Sequence, residues 1–299
     1  MTAPRQVLPG TTYLVTRRCS ERRFFLRPST ITNDIFLYVL AVAAQRHRVH
    51  VHAFCVLSNH YHLLVTDPDA RLPAFMQYLD SLVARGTNAS LGRWEGFWSC
   101  EASYSAVAHG ATSDIVGKAA YLLANPVAAG LVRTGREWPG LWTAPEQLGT
   151  ATITALRPKG FFSPTGDMPE SIELALSRPP GFASPKEFQD AVTAALHDLE
   201  EESRREFAAA GRRFLGRVRV LAQNPFARPA PGEPRRHLSP RVAGRDKWKR
   251  IEALSRLLGF LRAYRAARAA MRAGLRDVIF PAGTYLLRIQ HGVRCAAPG

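Results

Sequence analysis

The chain has 299 residues, 46% of them hydrophobic, and a formal net charge of +16. This length allows one large domain or two smaller ones, and the apolar share is ordinary for a globular protein. No apolar run reaches the ~18 residues of a membrane-spanning helix, and the opening Met1-Thr2-Ala3-Pro4-Arg5 lacks a signal peptide's apolar stretch, so no membrane association and a cytoplasmic location are expected.

In chain order, Thr11 to Thr16 alternates apolar and polar residues and predicts a strand. Residues 30–47 place Ile31, Ile35, Tyr38, Val39 and Val42 at helical spacing. Val49–Leu57 and Tyr61–Thr66 predict two further strands, joined by a tight turn at Ser58-Asn59. Phe75, Leu79, Leu82 and Val83 predict a helix over Leu72–Leu91, and Phe97–Val107 a fourth strand. Thr112-Ser113-Asp114 offers helix caps before Ile115–Asn125, and Pro126 is expected to end that helix. The order predicts an α+β fold with a ferredoxin-like (RNA-recognition-like) antiparallel sheet, helices on one face and the other face free.

Residues 1–138 are therefore read as one domain. Residues 139–185, rich in Pro, Gly, Thr and Ser, predict a linker or loosely packed region. Residues 186–299 predict a basic, mainly helical extension. Its first helix, over 184–222, opens on Ser184-Pro185-Lys186-Glu187, a capping-box pattern. A second, over 246–275, carries Ile251, Leu254, Leu258 and Leu261 on one side.

The charge is unevenly placed. Residues 203–299 hold 22 Lys and Arg against 5 Asp and Glu, whereas residues 1–202 hold 18 against 19. A basic segment suits a polyanion such as nucleic acid. Arg235 to Arg276, including Arg245, Lys247, Lys249 and Arg250, is the candidate for docking duplex or hairpin DNA. The alternative is a solvated Arg-rich helical hairpin. Cys19, Cys55, Cys100 and Cys295 are scattered, with no CxxC pair, and point to neither a zinc knuckle nor a disulfide framework.

Two short motifs carry candidate chemistry. In Asn59-His60-Tyr61-His62, residues i and i+2 of a strand face the same way. His60 and His62 then stand side by side and can chelate a divalent cation, with Tyr61 on the opposite face. An isolated HxH is more often one core and one surface histidine. In Tyr121-Leu122-Leu123-Ala124-Asn125, positions i and i+4 put the phenol and the amide on one helix face. Alone, that pair reads as a half-buried aromatic and a helix terminator. Together the motifs describe a site where a cation on His60, His62 and Asn125 neutralises a phosphodiester and Tyr121 attacks phosphorus.

His52 to Val65, with its His-hydrophobic-His core, resembles the signature of single-tyrosine transposases of the insertion-sequence-200-like and REP-associated branches. Tyr121 to Val132 resembles the tyrosine-bearing helix of the REP-associated branch. Gly10 to Arg18, followed by Arg22, Arg23 and Phe24, resembles that family's first strand and loop. The resemblance covers about half the chain, with the three motifs in the family's order. It implies Tyr121 as nucleophile, His60 and His62 as catalytic metal ligands, one Mg²⁺ or Mn²⁺, and single-stranded or hairpin DNA as substrate. The free sheet face and Arg17, Arg18, Arg22 and Arg23 are then candidates for holding the strand, and the protein acts as a monomer or homodimer. Leu14 stands where many relatives carry His, and Asn125 where many carry the longer Gln.

Three other readings remain. One is a catalytically silent nucleic-acid-binding regulator derived from such an enzyme. Another is an RNA-binding module using an open sheet face. The third is a metal hydrolase, for which Asp67 and Asp69 are the nearest carboxylates in sequence.

Overall fold

The computed structural model describes residues 4–100, 103–230, 240–244 and 246–298. Its centre is a four-stranded antiparallel sheet of β1 (Thr11–Arg18), β2 (His50–Leu57), β3 (His60–Asp67) and β4 (Ser105–His109). Their spatial order, β2-β3-β1-β4, is that of a ferredoxin-like sheet. The α+β class is as the element order implied.

Alternation along the central strands sorts the two faces. Tyr13 and Val15 of β1 and Tyr61, Leu63 and Val65 of β3 join one core. Helices α1 (Thr30–His47) and α2 (Leu72–Ser90) complete it. The Ser29 hydroxyl starts α1 by accepting from Thr32 N–H at 3.1 Å. The expected free face is not free. Leu14, Leu64, Ala53, Cys55 and Leu57 are buried there with Ala119, Leu122 and Leu123 of α3 (Thr112–Ala128). Both faces of β2 and β3 thus lie inside the protein, as their near-continuous apolar runs require.

Pro126 does not end α3. It lies buried inside the last turn, and the chain turns away at Gly130, where φ is +70°. Burial of Pro126 and Val127 against the neighbouring core offsets the missing N–H of the proline.

Residues 139–185 are packed rather than loose. They contain a hairpin of β5 (Thr152–Leu156) and β6 (Ser171–Ala175), whose Ala155, Ile172 and Leu174 belong to the α1-side core. The fourth sheet strand is shorter and later than expected; before it, Trp98 makes only an isolated bridge with Cys19.

The expected helix over 184–222 is two helices, α4 (Pro185–Ala209) and α5 (Arg217–Leu221), parted at Gly211 and Gly216, both with positive φ. Ser184 caps α4 by accepting from Glu187 N–H at 3.1 Å. Phe188, Val192 and Leu196 of α4 extend the α3-side core. The last helices are α6 (Lys247–Arg272) and α7 (Leu286–His291). On α6, Leu254 and Leu258 are 43% and 53% exposed, so the expected packing stripe is not buried; Phe260 and Ala267 are. Residues 280–285 return to the N-terminus, where Val7 N–H donates to Gly283 C=O at 3.0 Å.

Candidate active site

Both motifs come together on the α3 side of the sheet. β3 pairs with β1 so that His60 stands opposite Arg18 and His62 opposite Thr16. The two imidazole rings are 4.9 Å apart, centroid to centroid, and nearly perpendicular at 85°. Tyr61, between them in sequence, points the other way and donates to Asp80 Oδ1 at 2.6 Å.

Each imidazole is held through Nδ1. His60 Nδ1 bonds Asn59 Oδ1 at 2.7 Å, and His62 Nδ1 bonds Thr16 Oγ1 at 2.7 Å. This leaves the two Nε2 atoms for another partner. His62 Nε2 is buried with no hydrogen-bond partner. Burial holds the His60 pKa down to about 4, with Arg18 lowering it further and the Asn125 hydrogen bond opposing. Burial, His60 and Arg18 push His62 well below the ordinary histidine value. Near neutral pH both rings are therefore uncharged, the form that binds a cation.

α3 brings the second motif. Its apolar face, including Leu122 and Leu123, is fixed in the core, and the Trp142 indole N–H donates to Leu123 C=O at 2.9 Å. Tyr121 and Asn125 fall on the flank beside β3. The Tyr121 ring lies 5.7 Å from that of His62, and the phenol remains 46% exposed. Asn125 Nδ2 donates to Tyr121 C=O at 3.1 Å, while the side chain also hydrogen-bonds His60. Lys118, one turn before Tyr121, places Nζ 5.6 Å from the phenol ring centroid.

The donor set fits a divalent cation: two neutral imidazoles, one with an orphaned buried nitrogen, and an amide side chain on His60. Among the described residues no cluster of three His, Cys, Asp or Glu side chains exists. Asp67 accepts from Arg71 and Leu72 N–H at 2.8 and 2.7 Å, and Asp69 pairs with Arg48 at 3.4 Å. Neither carboxylate serves the histidine pair.

The arginine candidates separate. Arg18 lies on the histidine face and is exposed. Arg17 lies on the opposite face, with Nε 3.8 Å from Asp80 and only 15% of its side chain exposed. Arg22 is tied to the turn by its C=O, which accepts from Asn59 Nδ2 at 3.2 Å. Arg23 is engaged by Glu21 at 3.1 Å and by Phe226 C=O at 2.8 Å. Lys247, Lys249 and Arg250 form the first turn of α6, capped by Asp246. Arg245 lies outside the described residues.

Thr16 and Lys118 were not among the expected site residues, although Thr16 shares a face with Arg18 by simple alternation and Lys118 is three positions before Tyr121 on a helix. Asn59 was read only as a turn residue. It also orients His60.

No protein-family profile and no curated protein matches the chain. A solved REP-associated tyrosine transposase bound to a REP hairpin is similar at 19% identity and a TM-score of 0.40, over 47% of this chain and 81% of that one. A Deinococcus radiodurans R1 protein described as a candidate transposase is similar at 20% identity and a TM-score of 0.29, over 38% of this chain and 89% of that one. Likenesses this loose carry no functional argument. No helix among the described residues is long and apolar enough to cross a membrane.

Proposed function

We propose that the protein is a tyrosine transposase that cuts and rejoins single-stranded DNA at hairpins through a 5′-phosphotyrosine. The observation that carries this is the convergence of His60, His62, Asn125 and Tyr121 from separate elements onto one partly exposed spot. A buried structural histidine pair would satisfy its nitrogens within the protein, whereas His62 Nε2 has no partner.

His60, His62 and Asn125 would hold one Mg²⁺ or Mn²⁺, which would supply neutralisation of the phosphodiester charge. The chain's own groups do the rest. Thr16 and Asn59 fix the two rings by their Nδ1 atoms. α3 holds the phenol beside the phosphate, and Lys118 and Arg18 supply positive charge where the phenolate and phosphate meet. Tyr121 Oη forms a bond to phosphorus and gives up its proton to solvent. The bond to the 3′-oxygen breaks, and that oxygen takes a proton. The tyrosyl phosphodiester stores the broken bond, so a 3′-hydroxyl can reverse the step without a nucleotide cofactor.

The covered sheet face argues against an RNA-recognition mode, which needs that face open. The separate roles of Asp67 and Asp69 argue against a water-activating hydrolase.

End-labelled single-stranded hairpin DNA incubated with protein and Mn²⁺ tests the reading. The expected products are a free 3′-hydroxyl fragment and a 5′ end that enters the gel only after protease digestion. Cleavage leaving a free 5′-phosphate would refute the tyrosine route. Hairpin binding without cleavage would favour the silent regulator.

A further inference from the structure

A cavity lies at the far end of the same sheet from the histidine pair. It has a volume of about 560 Å³ and is bounded by β4, residues 5–13, the start of α3 and the first turns of α6. Thr12, opposite His109, and Thr16, opposite His62, are four residues apart on β1. At ~3.3 Å per residue this separates the cavity from the histidine pair by ~13 Å.

Two features of the lining point to a ligand. His109 is 4% exposed and lines the cavity, and beyond the Ala243 backbone its ring nitrogens find no hydrogen-bond partner. A buried imidazole with an open nitrogen is uncommon in a closed core and leaves a hydrogen-bonding position for a ligand. Arg5 also lines the cavity; its guanidinium lies over the Tyr104 ring at 4.0 Å and donates to Tyr104 C=O at 2.9 Å, and its Nε is buried without a partner. Lys249, Arg250 and Arg256 of α6 line it, Arg250 bonded to Gly244 C=O at 2.8 Å and Arg256 lying 3.8 Å from Glu252, and the whole lining holds five basic side chains against two acidic ones. The walls between them are apolar, including Leu8, Tyr13, Ala108 and Leu257.

We propose that this cavity binds a nucleotide, with its base against His109 and the apolar walls and its phosphate at the α6 cations. The volume of about 560 Å³ lies in the ~300–1,000 Å³ range of small-molecule pockets and is larger than a bare phosphate needs. The neutral imidazole offers one donor and one acceptor, which suits a base edge and not a second anion. The nucleotide arrives either free or as one unpaired residue of a strand. The proposal does not rest on Tyr121 chemistry.

Calorimetric titration of the full chain carrying Tyr121→Phe, in chelator, tests it without any cleavage step. The probes are deoxyadenosine and thymidine monophosphates, inorganic phosphate, and a single-stranded DNA hexamer. A mononucleotide or the hexamer is expected to bind at least tenfold more tightly than phosphate. Ala253→Trp, which fills the cavity from α6, and Arg256→Glu, whose side chain is 71% exposed, should each weaken that binding at least tenfold with the melting temperature kept. Loss with mononucleotides identifies a free-nucleotide site, and loss with the hexamer alone identifies a strand site. Phosphate binding as tightly as the nucleotides, or neither variant changing any affinity, overturns the proposal.

Discussion

The Tyr121 ring meets the His62 ring edge-on, at 5.7 Å between centroids and 78° between planes. One residue comes from a helix and the other from a central strand. Their approach is set by α3 lying across the sheet face that Leu14 and Leu64 line. A phenol held this close to an imidazole with an unpartnered nitrogen is the geometry from which the functional reading follows.

Metal affinity should depend on Thr16 as well as on the histidines. The 2.7 Å contact to Nδ1 fixes the His62 ring and leaves Nε2 for the ion. Groups in this position typically contribute ~10–100-fold in metal affinity. Thr16→Val should therefore weaken Mn²⁺ binding by about tenfold or more, read by electron paramagnetic resonance titration. His62→Ala should abolish it. An unchanged affinity in Thr16→Val would show that the contact only fills space.

Stability should fall as pH drops from about 6.5 toward 4. Burial lowers the pKa of both His52 and His109 to about 4. Between the unfolded and folded values the unfolded chain binds more protons, so acid favours unfolding. Fully developed, each shift corresponds to about 3 kcal/mol, an order-of-magnitude figure. Asp80 works the other way. Burial raises its pKa to about 6, so its contribution is present below its unfolded value and is lost as pH rises through about 6. Two histidines outweigh one carboxylate. Urea unfolding at pH 7 and pH 4.5 should show the lower midpoint at pH 4.5, and equal midpoints would contradict this balance.

Gly130 should not tolerate a side chain. Its φ is +70°, and an added Cβ would stand 2.4 Å from ring atoms of Phe207 on α4. Left-handed strain and overpacking together predict a loss of ~2–4 kcal/mol for Gly130→Ala. Chemical denaturation measures it, and a loss below ~1 kcal/mol would mean that α4 yields easily there.

Adjacent arginines should behave differently. Arg18 is exposed beside His60 and His62, and Arg17 reaches Asp80 on the opposite face. Arg18→Gln should weaken single-stranded DNA binding and reduce the salt slope by ~1. Arg17→Gln should lower stability and leave the slope alone. Filter binding across a salt series, with a thermal melt for each variant, separates the two outcomes.

Much of the site was legible in the sequence because it obeys short-range periodicity. The i, i+2 rule placed His60 and His62 together and sent Tyr61 away, and the i, i+4 rule put Tyr121 and Asn125 on one flank. Applied to β1, the same alternation distinguishes Arg18 from Arg17. What periodicity does not carry is which layer covers which face. The sequence reading expected one free face, whereas the apolar run Ala53 to Leu57 is buried on both sides, with α3 as the second cover. The hairpin of β5 and β6 was hidden among prolines and glycines, since a two-stranded sheet has few residues in which to show alternation. Pro126 looked like a helix end because local propensity says nothing of the core that buries it.

The most direct test of the central claim is peptide mapping of a trapped adduct. The protein is incubated with single-stranded hairpin DNA and Mn²⁺, digested with nuclease and protease, and analysed by mass spectrometry. The account predicts a nucleotide mass on the peptide containing Tyr121, absent with chelator, with His62→Ala and with Tyr121→Phe. An adduct on another residue, such as Tyr104 or Tyr264, or a Tyr121→Phe protein that still forms one, would contradict it.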